Sequence, residues 1–151
     1  MNNPLDKIIS RLNYLISISH ESKNGYQNAA QYVQDINMKD LFLRLSNERT
    51  GYAQELQLLV KNIEVTSGDK AGLSGYILRT WMDIKAAFTP GCDETVISAC
   101  IPGEETAIKA YTETLDREYI TGNIRAIING QLSGICAALQ SIVKYGTRAV
   151  V

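Results

Sequence analysis

Residues 37–68 read NMKDLFLRLSNERTGYAQELQLLVKNIEVTSG. Leu41, Leu45, Glu48, Tyr52, Leu56, Leu59 and Ile63 recur at steps of three and four, the spacing that lines up side chains on one face of an α-helix. Asn37 is suited to cap the start. Ser67-Gly68 closes the run, since glycine accepts the left-handed conformation common just past a helix end.

Working outward, the same period appears on both sides. Upstream, Asn3-Pro4 forms an N-cap and first-turn pair, and Leu5, Ile8, Leu12, Leu15, Ser19, Ser22, Tyr26, Ala29 and Val33 follow to an expected end near Asp35. So short a gap before Asn37 makes the first two helices an antiparallel hairpin. Downstream, a third helix is expected from about Asp93 to Tyr119, with Ile97, Cys100, Glu104, Ile108, Tyr111 and Leu115 on one face. Thr121 can cap a fourth that carries Ile124, Ile128, Gln131, Ile135, Ala138 and Ile142.

Between the hairpins, about residues 69–92, lie Gly72, Gly75, a short helical run from Tyr76 to Phe88 that includes Trp81, and the breaker Pro90-Gly91. Two antiparallel hairpins joined by a long crossover with a short helix of its own define an all-α, ferritin-like four-helix bundle. No strand signal competes, and the 151 residues fit a single domain spanning 1–151.

Composition narrows the function classes. Fifteen Lys and Arg against sixteen Asp and Glu leave a net charge of −1, with no basic block to attract nucleic acid. The reading is of a chain with no signal peptide, no stretch close to the roughly 20 apolar residues that span a bilayer, and a cytoplasmic location. Cys92, Cys100 and Cys136 are odd in number and lack metal-ligand spacing, so they read as free thiols. With one histidine, His20, no Ser/His/Asp or Cys/His triad assembles, and no phosphate-binding glycine loop follows a strand.

Chemistry is concentrated where the stripes turn polar. Glu48, Glu104 and Gln131 interrupt three of them near mid-helix, and Ser22, Glu21 and Asn24 stand at a comparable level of the first. In such a bundle a di-metal site needs bridging carboxylates and Glu-x-x-His pairs. Here Gly51 follows Glu48 at the third position, Gly134 follows Gln131, and His20 joins no such pair. Glu48, Glu104, Glu21 and His20 remain the candidate metal ligands, for iron or manganese. The competing reading is a structural layer of Glu48, Glu104, Gln131, Tyr26, Tyr52 and Tyr111, with tyrosine hydroxyls donating to the buried carboxylates. No cofactor is expected on that reading.

Gly25, Gly51, Gly103 and Gly134 fall near the middle of the four helices, where each costs about 1 kcal/mol against alanine. Close packing around tyrosines, or a cavity for a small apolar ligand, would account for them. Pro102 is expected to kink or break the third helix between Cys100 and Gly103. Trp81 to Lys85 forms a candidate interaction surface or a cover for the bundle.

The runs Leu12-Asn13-Tyr14-Leu15-Ile16, Gly25-Tyr26, Glu48-Arg49, Arg79-Thr80-Trp81-Met82-Asp83-Ile84-Lys85 and Gly103-Glu104-Glu105 resemble a bacterial family of ferritin-like bundles known as a domain of unknown function. The resemblance spans about residues 5–145 and implies the fold. This chain has Asn24 where members usually carry a glutamate, Leu139 where they often carry a histidine, and Pro102 in place of a charged residue. These departures imply a lost di-metal site, with Glu48 and Glu104 retained. The expected role is assembly as a homo-oligomer or binding of a protein partner. The alternative is a metal-binding or oxidoreductase-type protein.

Overall fold

In a computed structural model, residues 4–67 and 92–149 are described. They form four α-helices: α1 (Pro4–Tyr32), α2 (Ile36–Ser67), α3 (Asp93–Leu115) and α4 (Gly122–Ala149). Among the described residues there is no strand. The crossover helix, Trp81 and the Pro90-Gly91 breaker lie outside the described residues.

Helix ends are set by side chains that find orphan backbone groups. Asp35, rather than Asn37, caps α2: its Oδ1 accepts the N–H groups of Asn37 and Met38 at 2.8 and 3.0 Å. α1 stops at Tyr32, leaving the N–H groups of Gln34 and Asp35 to donate to the Asp93 carboxylate at 2.8 and 3.0 Å. Asp93 opens α3, so α3 begins at the end of the bundle where α2 also begins. The two helices therefore run parallel, each antiparallel to its own hairpin partner.

α3 ends at Leu115, short of Tyr119, because Arg125 reaches back from α4 to take the carbonyls of Leu115 and Ile120. Gly122 turns the chain into α4 with φ of 60°, a left-handed value open to glycine. Thr121 stands just before it, and its carbonyl accepts the Arg125 N–H.

Two expectations are corrected. The break expected at Pro102 does not occur, since Pro102 lies inside a continuous 23-residue helix. The N–H that proline lacks is absorbed without ending the helix, and Thr106 Oγ1 donates to the Pro102 carbonyl at 2.9 Å. The second concerns apolar length. Gly122–Gly146 has a mean hydropathy of 1.4 over its richest window and is long and apolar enough to cross a membrane by length and composition alone. Ile128, Ile135, Ala138 and Ile142 of that stretch are buried in the bundle core, and 28% of the window is buried in all.

The core has two halves. One gathers Tyr26, Ala29, Val33, Met38, Leu41, Phe42, Leu45, Val96, Ile97 and Ile142 toward the α1–α2 turn. The other gathers Ile9, Leu12, Leu15, Ile16, Leu56, Val60, Ala107, Tyr111, Ile128 and Ile135 toward the α3–α4 turn. Burial of these chains supplies the main stabilisation, at roughly 25 cal/mol per Å² of apolar surface. Between the halves lies a polar belt.

Candidate functional site

The belt is built around Arg49 and Glu104. Arg49 shares the inward face of α2 with Leu45, Tyr52 and Leu56, at helical steps of four, three and four. Glu104 sits on the inward face of α3, one turn beyond Cys100. The guanidinium donates from Nη1 to Glu104 Oε1 at 2.5 Å and from Nη2 to Oε2 at 2.6 Å. Both side chains are excluded from solvent. A two-pronged pairing of this kind satisfies a planar cation and a carboxylate together.

Tyrosine rings flank the cation. The Arg49 guanidinium carbon lies 5.5 Å from the Tyr26 ring centre and 5.9 Å from that of Tyr52, within reach of the negative ring faces. Tyr26 itself stacks on Phe42 at 5.7 Å. Burial, reinforced by the Glu104 charge, holds the Tyr26 phenol neutral well beyond the usual tyrosine range. Tyr52 is pushed up to about 12 by burial and then by Glu48. Burial would ease a proton off Arg49, but the Glu104 carboxylate overrides it and fixes the guanidinium in its charged form. The Cys100 thiol is raised by burial and then by Glu104, which makes it an inert thiol and a poor nucleophile.

Glu48 stands at the rim. Its side chain is 34% exposed, and its Oε1 faces Arg49 Nε at 3.8 Å, too far for a hydrogen bond. Ser22 Oγ is buried on α1 with no hydrogen-bond partner among the described residues. On α4, Gly134 gives way to Tyr52. A Cβ built there would fall 1.9 Å from the Tyr52 hydroxyl and 3.7 Å from Glu48 Oε1.

A second polar group lies about one turn away and joins all four helices. Tyr111 donates to Gln131 Oε1 at 2.6 Å and lies 3.4 Å from Ser19 Oγ. Gln131 Nε2 donates to Glu55 Oε1 at 2.7 Å and to the Tyr52 carbonyl at 3.3 Å. Every polar atom of the Gln131 side chain is thereby engaged, the condition under which a buried amide is tolerated. Farther along, Arg11 donates to Thr114 Oγ1 at 2.7 Å and tethers α1 to the end of α3.

The structure thus gathers Glu104, Tyr26, Tyr52 and Glu48 around Arg49, and Tyr111 with Gln131 in the neighbouring group. Arg49 donates to both oxygens of Glu104, although the sequence reading named it only within the family resemblance and assigned it no place in the polar layer. Its signal was available: positions 45, 49, 52 and 56 make as good a stripe as positions 45, 48, 52 and 56. The candidate metal ligands do not converge. His20 is exposed, with Nε2 3.4 Å from Gln57 Nε2. Glu21 is half-buried, and that burial raises its carboxyl. Between Glu48 and Glu104 lies a guanidinium. Among the described residues, no three His, Cys, Asp or Glu side chains come together in a way that could hold a metal ion.

The glycines separate into different cases. Gly134 admits a tyrosine, whereas Gly51 is exposed and a Cβ there meets nothing within 4 Å. Close packing within one chain therefore does not account for Gly51.

With this geometry in place, comparison with known families gives one assignment. The chain belongs to the family described as Domain of unknown function (DUF2383), which it matches over residues 7–117. The match takes in α1, α2 and α3, hence both Arg49 and Glu104, and stops before α4. No curated protein matches the chain.

Proposed function

We propose that the chain is a ferritin-like bundle that has lost its di-metal site and works by assembly or by binding a protein partner. The carrying observation is the Arg49–Glu104 pair. In a metal-binding bundle the central carboxylates neutralise bound cations. Here an internal guanidinium supplies that positive charge and uses both oxygens of Glu104. Two hairpins with α2 and α3 parallel support the ferritin-like reading. Three free cysteines, with Cys100 buried, fit a reducing compartment.

Metal analysis of protein purified without an affinity tag, before and after incubation with iron and manganese, tests this reading. The expected result is no stoichiometric metal in either sample. Near-stoichiometric iron or manganese, lost in Glu48→Ala and Glu104→Ala, would overturn the proposal in favour of a metal-binding or oxidoreductase-type protein. Light scattering on the same sample reads the assembly state.

A further inference from the structure

Large apolar side chains on the surface are few, and they are not scattered. Of the five among the described residues, four are on α2: Ile36 (71% exposed), Leu43 (45%), Leu58 (58%) and Val65 (77%). At 100° per residue they fall within an arc of about 60°, on the side of α2 turned away from buried Leu41, Leu45, Leu56 and Val60. Asp40, Asn47, Gln54 and Lys61 share that outward stripe, Gly51 borders it, and all five are exposed.

The stripe has a symmetry of its own. Ile36 and Val65 lie equally far from a point between Thr50 and Gly51. So do Leu43 and Leu58, Asn47 and Gln54, and Asp40 and Lys61. From this we infer that α2 pairs antiparallel with α2 of a second copy of this chain, about a two-fold axis passing between Thr50 and Gly51. The inference rests on the assembly reading above and names the surface that performs it.

A two-fold contact must be self-complementary: whatever one residue meets must meet it in return. The stripe satisfies that rule in shape and charge. Ile36 would meet the partner's Val65, and Leu43 the partner's Leu58. Asp40 would face the partner's Lys61, with opposite charges at both ends of the seam. Asp40 and Lys61 form no ion pair within the chain among the described residues. Gly51 falls at the crossing point, where the absence of a side chain lets two helix backbones approach closely. That accounts for a mid-helix glycine with nothing around it in one chain. The pairs run over about 44 Å of helix, long enough for a coiled-coil-like seam.

Light scattering and sedimentation of the full chain, at concentrations from 1 to 100 µM, test the seam. The expected mass is twice that of one chain. Leu43→Glu and Leu58→Glu should each give monomers with an unchanged helical circular dichroism spectrum, since both side chains are exposed. Asp40→Lys and Lys61→Asp should each weaken the dimer tenfold or more, by opposing like charges at both ends. Mixing the two charge variants should restore a heterodimer of near wild-type affinity. A dimer indifferent to all four changes overturns the α2 seam and leaves assembly through another surface standing. Failure of the mixed charge variants to recover overturns the antiparallel register. A wild-type chain that stays monomeric overturns the seam together with the self-assembly part of the reading.

Discussion

Arg49 of α2 and Glu104 of α3 meet through two parallel hydrogen bonds of 2.5 and 2.6 Å, with neither side chain in contact with solvent. α2 and α3 are diagonal to one another, and neither packs directly on the other. The ion pair is therefore the link across the diagonal of the bundle. Desolvating two charges offsets much of their attraction, so the pair gives little net stability while binding the helices to one alignment.

Removing one partner is a different matter, because the other is left buried and unpaired. Arg49→Met and Glu104→Leu are each expected to lower unfolding free energy by about 3–5 kcal/mol. The double variant should recover most of that loss. Urea unfolding of the three variants and the wild type measures the coupling, and additive losses would contradict the geometry.

Two glycines on α4 are expected to respond oppositely to the same change. Gly134→Ala places a methyl group against the Tyr52 hydroxyl and should cost about 1–3 kcal/mol through forced repacking. Gly130→Ala meets nothing within 4 Å and should gain up to about 1 kcal/mol from helix propensity. Thermal unfolding monitored at 222 nm distinguishes them. Adding Tyr52→Phe to Gly134→Ala should return part of the loss.

Alkaline pH should loosen the belt. Tyr26, Tyr52 and Tyr111 hold their protons longer in the folded chain than in the unfolded one, principally because burial disfavours the phenolate. Above about pH 10 the unfolded chain binds fewer protons than the native one, so stability falls as pH rises. It is complete below that value, and the Tyr52 contribution is gone beyond about 12. Absorbance at 295 nm should show these three of the eight tyrosines ionising late, together with the loss of helical signal. Their ionisation near pH 10 in a folded chain would refute this.

At the end of the bundle, Asp93 joins α3 to the α1–α2 turn. Asp93→Ala is expected to cost about 1–2 kcal/mol, since two backbone N–H groups lose a charged acceptor. Amide exchange at Gln34 and Asp35 should speed up selectively, leaving mid-helix amides such as Leu56 unchanged.

The helices and both hairpin turns were legible in the sequence, because apolar spacing depends on side-chain direction within one segment. Tyr26, Tyr52, Tyr111 and Gln131 could be singled out for the same reason. Arg49 lay on an equally good stripe but was read as surface, as a charged residue is until its counterion is found on a helix distant in sequence. Glu104 was singled out on its own stripe, but its partner was not, because the two lie 55 positions apart. The end of α3 was misplaced for a similar cause, since Arg125 of the next helix takes the carbonyl of its last residue, Leu115. Pro102 invited a break on local grounds, yet α3 runs through it, held on one face by Val96, Ile97, Cys100, Ala107 and Tyr111.

The division of charge between the hairpins bears on how the chain reaches its native state. One hairpin carries the cation and the other the anion, and each would keep its ion hydrated while alone. Docking dehydrates both ions at once, so a half-joined or shifted encounter strands a bare charge at a cost of several kcal/mol. Misaligned hairpins are thereby expected to separate more readily than the union in which each ion has found the other.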